Sequence, residues 1–301
     1  MRLFLFLNRC AVSLLLCIVA SITYANSNVT VLTSKHFSSV QTQATKLAEH
    51  YGKSHVLIVY DIDNTLLAMN QNLGSDQWFS WQVHLLTSKP NSNALVAKSF
   101  QGLLAAQGLL FELSHMHLTE KVIPSIVKSL HDQGYPMVVL TSRGHDFDHV
   151  TLKALNDNQL NFDHYFNVNV ANSPYYPYSI DHLHADGLNQ KDLSMLSTKS
   201  PRKVVFEEGV LFGAGQNKGI LLKTLLAHSK DQIKAVVFID DSQNNIDQFD
   251  QIIKQGDLAV IAIRYSGEDG AVKAFQASDK QKVTLQWQKL TQTLNEVLKL
   301  S

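Results

Sequence analysis

Acidic and polar side chains follow three apolar runs of this sequence, at the point where each run ends. They are Asp61, Asp63 and Thr65 after Val56–Tyr60, Thr141 after Met137–Leu140, and Asp240 and Asp241 after Ala235–Ile239. Apolar runs without alternation are typical of strands buried on both faces of a parallel sheet. Ligands bind such sheets at the carboxyl ends of the strands. We therefore expect four carboxylates in one crevice, where they repel one another unless a cation such as Mg²⁺, with its preference for oxygen ligands, lies among them.

The elements that must position these side chains alternate along the chain between strand and helix. A polar, mobile leader is predicted at 26–35. The remaining predictions are helices at 37–50, 146–156, 217–228, 243–254 and 280–299, buried strands at 56–60, 137–140, 235–239 and 258–263, a hairpin at 204–212, and irregular structure over 160–202. This order predicts an α/β fold with a Rossmann-like parallel sheet and right-handed crossovers.

Four parts of the sequence, in this order, resemble the haloacid dehalogenase-like (HAD) superfamily of phosphotransferases. They are the D-x-D-x-T motif Asp61, Asp63 and Thr65 after an apolar strand, the strand-terminal Thr141, Lys218 at the start of a helix, and Asp240-Asp241 after a third strand. The resemblance covers about residues 55–265. Asp76–Trp81 and Gly215–Gly219 further resemble a poorly characterised exported bacterial subgroup of that superfamily.

The resemblance implies a phosphatase with an aspartyl-phosphate intermediate. Asp61 would be the nucleophile. Asp63 would protonate the leaving oxygen and then activate water. Thr141 and Lys218 would bind the phosphoryl oxygens. Lys203 and Lys223 are rivals for the role of Lys218.

The resemblance also implies a Mg²⁺ site. Its ligands would be the carboxylate of Asp61, the backbone carbonyl of Asp63 and the carboxylate of Asp241. Asp240 would support the site from outside the ligand sphere, and Asn245 would assist through water. Arg143 has two open interpretations, a contact to substrate phosphate or a surface position.

The chain between the first two motifs, residues 66–135, is predicted to be a mainly helical cap inserted into a core of 26–65 and 136–301. Trp78 and Trp81 within it would either pack inside the cap or contact substrate, and their helical spacing favours packing. Two further side-chain groups stay open. The first is the histidine pairs His115/His117, His145/His149 and His182/His184; only His145/His149 has the i, i+4 spacing that places two ligands on one helix face, and zinc is disfavoured even there. The second is Tyr175, Tyr176 and Tyr178, which could face substrate or pack.

Residues 1–25 are typical of a cleaved signal peptide, which predicts an exported, periplasmic or secreted protein. Arg2 and Arg9 precede the apolar stretch Cys10–Ile22, and small residues stand at the cleavage positions before Asn26. A mostly apolar stretch of 13 residues is too short to span a bilayer core of about 30 Å. Lipidation at Cys17 is disfavoured because bulky Leu16 precedes it. We find no later segment long and apolar enough to cross a membrane.

The composition excludes several functional classes. The chain has 26 basic and 26 acidic residues, and the signal removes two arginines and no acid, so the mature net charge is −2. That balance argues against binding driven by nucleic-acid phosphates. Both cysteines, Cys10 and Cys17, lie in the signal, which excludes disulfides and thiol catalysis. The expected partner is a small or macromolecular phosphomonoester. The alternatives are phosphoryl transfer to an acceptor alcohol and a binding or effector protein without turnover.

Overall fold

The computed structural model describes residues 29–170, 172–196, 200–253 and 258–299. Seven strands form one sheet in the order β1-β9-β8-β2-β5-β7-β6, and β3 and β4 form a separate two-stranded antiparallel sheet. The strands are β1 Val29–Ser34, β2 Val56–Tyr60, β3 Leu67–Met69, β4 Met116–Leu118, β5 Met137–Thr141, β6 Val205–Glu207, β7 Val210–Phe212, β8 Ala235–Asp240 and β9 Ala259–Tyr265. The helices are α1 Ser39–Tyr51, α2 Asp76–Ser88, α3 Phe100–Glu112, α4 Ile123–Asp132, α5 Asp148–Asp157, α6 Gln190–Ser194, α7 Lys218–Ala227, α8 Gln243–Ile253, α9 Asp269–Ala277 and α10 Gln281–Leu298.

The sheet is mostly parallel and buried on both faces, which confirms the predicted Rossmann-like α/β class. Along β2, Ile58 and Tyr60 pack into one apolar cluster while Leu57 and Val59 pack into another on the opposite face. Every residue of β2, β5 and β8 is buried. Burial on both faces explains why these strands are apolar without alternation.

Strand β2 lies at the centre of the sheet, between β8 and β5, and is parallel to both. The carboxyl ends of these three strands therefore meet at one edge of the sheet, as the sequence predicted. The loops that follow them, at Asp61, Thr141 and Asp240, are neighbours in space because the strands are neighbours in the sheet.

The predicted hairpin is present as β6 and β7, which pair antiparallel. Its turn residues Glu208 and Gly209 have φ of 46° and 75°, as a two-residue turn of the primed kind requires. A Cβ at Gly209 would lie 2.1 Å from the carbonyl oxygen of Phe162. Glycine is therefore required there both by its conformation and by the close approach of a neighbouring backbone.

The region between β2 and β5 divides into two parts. The apolar stripe of α4, at Ile123, Ile126, Val127 and Leu130, packs in the core cluster of the sheet. The rest, residues 67–118, contains the antiparallel strands β3 and β4 with the helices α2 and α3 between them in sequence, and we call it the insert. Its buried side chains Trp78 and Leu110 cluster with Phe275 and Val283 of α9 and α10. The predicted cap boundary at residue 135 thus includes a helix that packs with the core.

The prediction of a mobile leader is wrong for residues 29–35. Val29–Ser34 forms the edge strand β1, parallel to β9. Its outer face is exposed, with Val31 45% accessible, so the segment lacks the continuous apolar run that marked the inner strands. Helix α9 was not predicted. The signal-peptide prediction concerns residues outside the described part of the chain. Among the residues that the structure does describe, no helix is both long and apolar enough to span a membrane.

Candidate active site

A tight turn after β2 places the side chains of the first motif. The carbonyl oxygen of Ile62 accepts hydrogen bonds from the backbone of Thr65, Leu66 and Leu67, and Asn64 has φ of 56°. Asparagine tolerates this left-handed conformation better than most residues. The chain therefore turns directly after Asp61 instead of continuing as a strand.

Thr65 ties the nucleophile candidate to the last motif. Its hydroxyl donates to Oδ2 of Asp61 over 3.2 Å and accepts from the backbone N–H of Asp241 over 2.9 Å. Thr65 is fully buried. Thr65, the threonine of D-x-D-x-T, thus fixes the orientation of the Asp61 carboxylate relative to the end of β8.

Lys218 lies between the first and third strand ends. Its Nζ is 2.5 Å from Oδ1 of Asp61 and 2.6 Å from Oδ2 of Asp240, and its side chain is 2% exposed. It is the first residue of α7, whose N-terminus is capped by the side chain of Asn217 on the N–H groups of Gly219 and Ile220. The cap sets where the helix begins and so aims Lys218 at the strand ends.

The two aspartates at the end of β8 have different surroundings. The carboxylate of Asp240 is fully buried and accepts hydrogen bonds from Lys218, from the side chain of Asn245 and from the backbone of Ser242. Among the described residues, the carboxylate of Asp241 has no such partner. Asp241 therefore keeps its oxygens free for a cation, while Asp240 positions Lys218 and Asn245.

Oxygen atoms of Asp61, Asp240 and Asp241 lie within 4.8 Å of one another. One lysine cannot compensate three carboxylates. Burial, followed by the charges of Asp61 and Asp240, raises the pKa of Asp241 well above its usual value. Burial also raises the pKa of Asp61 to about 7, against the pull of Lys218.

The lysine itself stays charged. Burial alone would lower the pKa of Lys218, but the carboxylates of Asp240 and Asp61 outweigh that effect and raise it. Without another cation, the remaining negative charge must be relieved by protons on the carboxylates. A divalent cation with oxygen ligands meets the same need without protonating the nucleophile candidate, so the donor set fits Mg²⁺.

Asp63 is held by a residue whose role the sequence left open. Arg143 donates from Nε to Oδ2 of Asp63 over 2.9 Å and from Nη2 to Oδ1 over 2.7 Å. Arg143 is 6% exposed, so the surface interpretation of this residue is wrong. The second interpretation, contact with substrate phosphate, competes with the Asp63 contact that the structure shows.

Thr141 ends β5 at the edge of the same crevice and is 1% exposed. Its hydroxyl accepts from the backbone N–H of Arg143, and its carbonyl oxygen accepts from the N–H of Gly213. A Cβ at Gly213 would lie 2.8 Å from that carbonyl oxygen. Glycine thus allows the loop before α7 to pack on the end of β5, which brings the strand carrying Thr141 close to the helix carrying Lys218.

Asp76, to which the sequence motifs assign no role, is a further carboxylate near the site. It is the first residue of α2, after the N-cap Ser75, and it stays accessible to solvent. The surrounding protein, followed by the carboxylates of Asp63 and Asp240, raises its pKa to about 6. Only the folded chain brings it to the strand ends, since an acid in the first turn of a helix is common for reasons of helix stability alone.

A cleft of about 560 Å³ begins beside the first motif and runs between the insert and the C-terminal helices. Asn64 and Gln77 lie at one end of it, with Nδ2 of Asn64 3.5 Å from Oε1 of Gln77. Its walls carry further amide side chains, at Asn70, Gln71, Asn72 and Gln286. Charged and apolar side chains, among them Glu268, Lys282 and Phe275, complete the walls, so the cleft combines amide groups with charged and apolar surface.

The other sequence candidates lie elsewhere. Lys223 pairs with Asp192 over 2.7 Å, and Nζ of Lys203 lies 5.9 Å from the Tyr176 ring, so Lys218 alone of the three lysines reaches the carboxylates. Trp78 is buried where the insert packs against α10, with its ring 6.5 Å from that of Trp287.

The histidines and tyrosines that were left open form no second centre. Within the described ranges, the three aspartates form the one group of potential ligands close enough to hold a metal ion, and no histidine belongs to it. Tyr178 packs in the core, while Tyr176 is exposed.

Comparisons with known proteins place the chain in a family without naming a reaction. Two relatives carry the name "Putative outer membrane protein". One, from Chlamydia muridarum (strain MoPn / Nigg), is 21% identical over 72% of this chain and 71% of its own length. The other, from Chlamydia trachomatis serovar D (strain ATCC VR-885 / DSM 19411 / UW-3/Cx), is 22% identical over the same shares. No solved structure matches the chain. A family model matches residues 33–299, nearly all of the described chain, and the protein therefore belongs to the family described as "Protein of unknown function (DUF2608)".

Proposed function

We propose that this protein is an exported, Mg²⁺-dependent phosphatase that hydrolyses phosphomonoesters through an aspartyl-phosphate on Asp61, as HAD-superfamily enzymes do. One observation carries the proposal. Asp61 is fixed at a strand end by Thr65 and Lys218, beside the unpaired carboxylate of Asp241. The comparisons name no enzyme, so the support is the geometry of the site and the order of its motifs.

In the first step, an oxygen of Asp61 attacks phosphorus and forms an acyl-phosphate bond. The bond from phosphorus to the ester oxygen breaks, and that oxygen takes the electron pair together with a proton from Asp63. Lys218, at 2.5 Å from Asp61, and the Thr141 hydroxyl at the neighbouring strand end bind phosphoryl oxygens as charge moves onto them.

In the second step, water attacks the phosphorus of the aspartyl-phosphate. Asp63, now a carboxylate, takes a proton from that water, and the acyl-phosphate bond breaks with its electron pair returning to Asp61. Inorganic phosphate leaves, and Asp63 is again protonated for the next substrate. Asp61 and Asp63 thereby return to their starting states, and the net reaction converts the ester and water to an alcohol and inorganic phosphate.

Mg²⁺ would be held by the carboxylates of Asp61 and Asp241 and by the backbone carbonyl of Asp63, with Asp240 and Asn245 outside its ligand sphere. Bound there, it would stabilise negative charge on the phosphoryl group and on the attacking carboxylate. The free oxygens of Asp241 and the occupied oxygens of Asp240 support this choice of ligand.

Two further functions use the same site. A phosphotransferase would replace water by an acceptor alcohol in the second step. A binding or effector protein would hold a phosphorylated ligand without turnover, but the nucleophile, acid and phosphate-binding candidates are all present, which favours the enzyme.

Export follows from the predicted signal at residues 1–25. The name that the two chlamydial relatives carry agrees with a location outside the cytoplasm. Fractionation of the cells distinguishes a periplasmic from a secreted mature protein.

The test compares Asp61→Asn with Asp63→Asn on an activated aryl phosphate and Mg²⁺. Asp61→Asn removes the nucleophile, so no phospho-enzyme forms. Asp63→Asn keeps the nucleophile, and a good leaving group needs little protonation, so the first step outruns the second. Acid-quenched mass spectrometry should therefore find a phosphorylated chain in Asp63→Asn and none in Asp61→Asn.

Phosphate on another side chain of Asp61→Asn would refute the assignment of the nucleophile. Wild-type protein should release phosphate steadily and stop when EDTA is added. Product analysis with added alcohols separates the hydrolase from the transferase. The amide-lined cleft makes hydrophilic phosphomonoesters the first compounds to screen.

A further inference from the structure

Arg143 is held on all sides by groups outside the proposed phosphate site. Its Nη1 donates to the hydroxyl of Thr151 over 3.0 Å, and its Nη2 lies 3.2 Å from the sulfur of Met116. Its Cζ is 4.0 Å from the centre of the Phe111 ring. With Nε and Nη2 also bonded to Asp63, the guanidinium is surrounded, and its side chain is only 4% exposed.

The Asp63 end of this pair is different, because its side chain is 22% exposed. A carboxylate has about four lone-pair positions, and a two-pronged contact with arginine uses two of them. Each oxygen of Asp63 therefore keeps a position for the proton that the reaction needs. The contact fixes the plane of the carboxylate without blocking it.

Arg143 also joins three parts of the fold. Met116 lies on β4 and Phe111 on α3 of the insert, whereas Thr151 lies on α5 of the core. The guanidinium is planar and rigid, so its orientation is set by these neighbours together. The orientation of Asp63 is therefore determined by the packing of the insert on the core.

We propose that Arg143 is the positioning residue of the acid–base group: its guanidinium, clamped between the insert and the core, orients the carboxylate of Asp63 toward the leaving oxygen. This inference rests on the proposed phosphatase function. It differs from a direct role in phosphate binding, which would require the guanidinium to leave Asp63 and face the phosphoryl group.

The two roles are separated by the leaving group. Protonation matters most when the leaving oxygen is strongly basic, whereas binding of the phosphoryl group matters equally for every ester. The experiment therefore measures kcat/KM, which reports the first step, for alkyl and aryl phosphates whose leaving groups range from strongly to weakly basic. The test variant is Arg143→Lys, which keeps the positive charge but cannot make the two-pronged contact.

We expect kcat/KM of Arg143→Lys to fall about 100-fold for an alkyl phosphate, the size of loss that about 1 Å of misplacement can cause. For the most activated aryl phosphate the fall should be less than about threefold, because little protonation is needed. Thr151→Val removes a single contact to the guanidinium, and we expect it to show the same trend with a smaller amplitude. It serves as the second variant if Arg143→Lys does not fold.

The matched control is Arg264→Lys. Arg264 pairs with Asp269 over 2.7 Å at the end of β9, so this variant should keep the wild-type dependence on the leaving group.

An equal fall of kcat/KM for all esters, with weaker inhibition by inorganic phosphate, would assign Arg143 to phosphate binding and overturn the inference. An unchanged dependence on the leaving group in both Arg143→Lys and Thr151→Val would overturn it as well. Wild-type protein that turns over none of the esters would instead refute the phosphatase function, and the inference with it.

Discussion

Replacing Lys218 by methionine should destabilise the protein far more than removal of an ordinary lysine. The side chain is 2% exposed and lies 2.5 Å from Asp61 and 2.6 Å from Asp240. Methionine has a similar length but no charge, so two buried carboxylates would lose their shared cation. Removal of one partner from a buried ion pair typically costs about 3–5 kcal/mol. For domains of about 150–250 residues, each kcal/mol of lost stability lowers the melting temperature by roughly 2–4 °C, so we expect a fall of about 6–20 °C.

The pH dependence of this loss tests its cause. In Lys218→Met, a proton on Asp61, whose pKa burial already raises to about 7, can replace the missing charge, and protons are more available at low pH. The difference in unfolding free energy between wild type and variant should therefore be larger at pH 8 than at pH 5. Urea unfolding in EDTA measures it at both pH values, and Lys218→Met/Asp240→Asn should recover part of the loss because one of the two carboxylates is gone.

The control is Lys128→Met on α4. Lys128 pairs with Asp132, but its side chain is 74% exposed, so its variant should unfold like the wild type. If Lys218→Met also unfolds like the wild type at pH 8, the ion pairs of Lys218 with Asp61 and Asp240 do not stabilise the fold.

Three further outcomes are expected. Asp241→Ala should weaken Mg²⁺ binding severely, whereas Asp240→Ala should weaken it by about 10–100-fold, the usual range for groups outside the ligand sphere. If calorimetric titration gives the reverse order, Asp240 and not Asp241 is the metal ligand. Since protons compete with metal for carboxylates whose pKa is raised, to about 7 at Asp61, Mg²⁺ affinity should rise between about pH 5 and pH 8 with release of protons, and an affinity independent of pH would contradict the site. Mass spectrometry of exported protein should find Asn26 at or near the N-terminus, and an intact leader would refute the predicted cleavage.

The inner strands could be predicted because burial on both faces leaves a distinct mark on the sequence. Val56–Tyr60 and Ala235–Ile239 are apolar at every position, and nothing but a central strand or a buried helix suits such a run. The edge strand β1 leaves no such mark, because most of Val29–Ser34 is exposed or half-buried and threonines interrupt its apolar residues. Helix α4 was assigned to the cap because sequence order alone does not say against which layer an amphipathic helix packs.

Some residues of the candidate site could likewise be predicted from the sequence, and others could not. Strand-end residues such as Asp61 and Asp240 could be grouped in advance, because parallel neighbours bring their carboxyl ends together. The contacts of Arg143 could not be predicted, since Phe111 and Thr151 come from two separate parts of the chain. The same holds for Asp76, whose approach to the site depends on how the insert docks.

The pairing of β1 with β9 sets an order in which the chain can fold. Val29 pairs with Val260, so β1, the first strand of the described residues, can join the sheet only after β9 near the other end of the chain has been synthesised. Contacts over so long a sequence separation form slowly. Meanwhile β2, β5 and β8 can assemble, and the edge of β9 that β1 will cover is open to pairing with other chains. For the export proposed above, this pairing means that β1 has no sheet partner until nearly the whole chain has emerged. Docking of β1 then closes the edge and completes the domain.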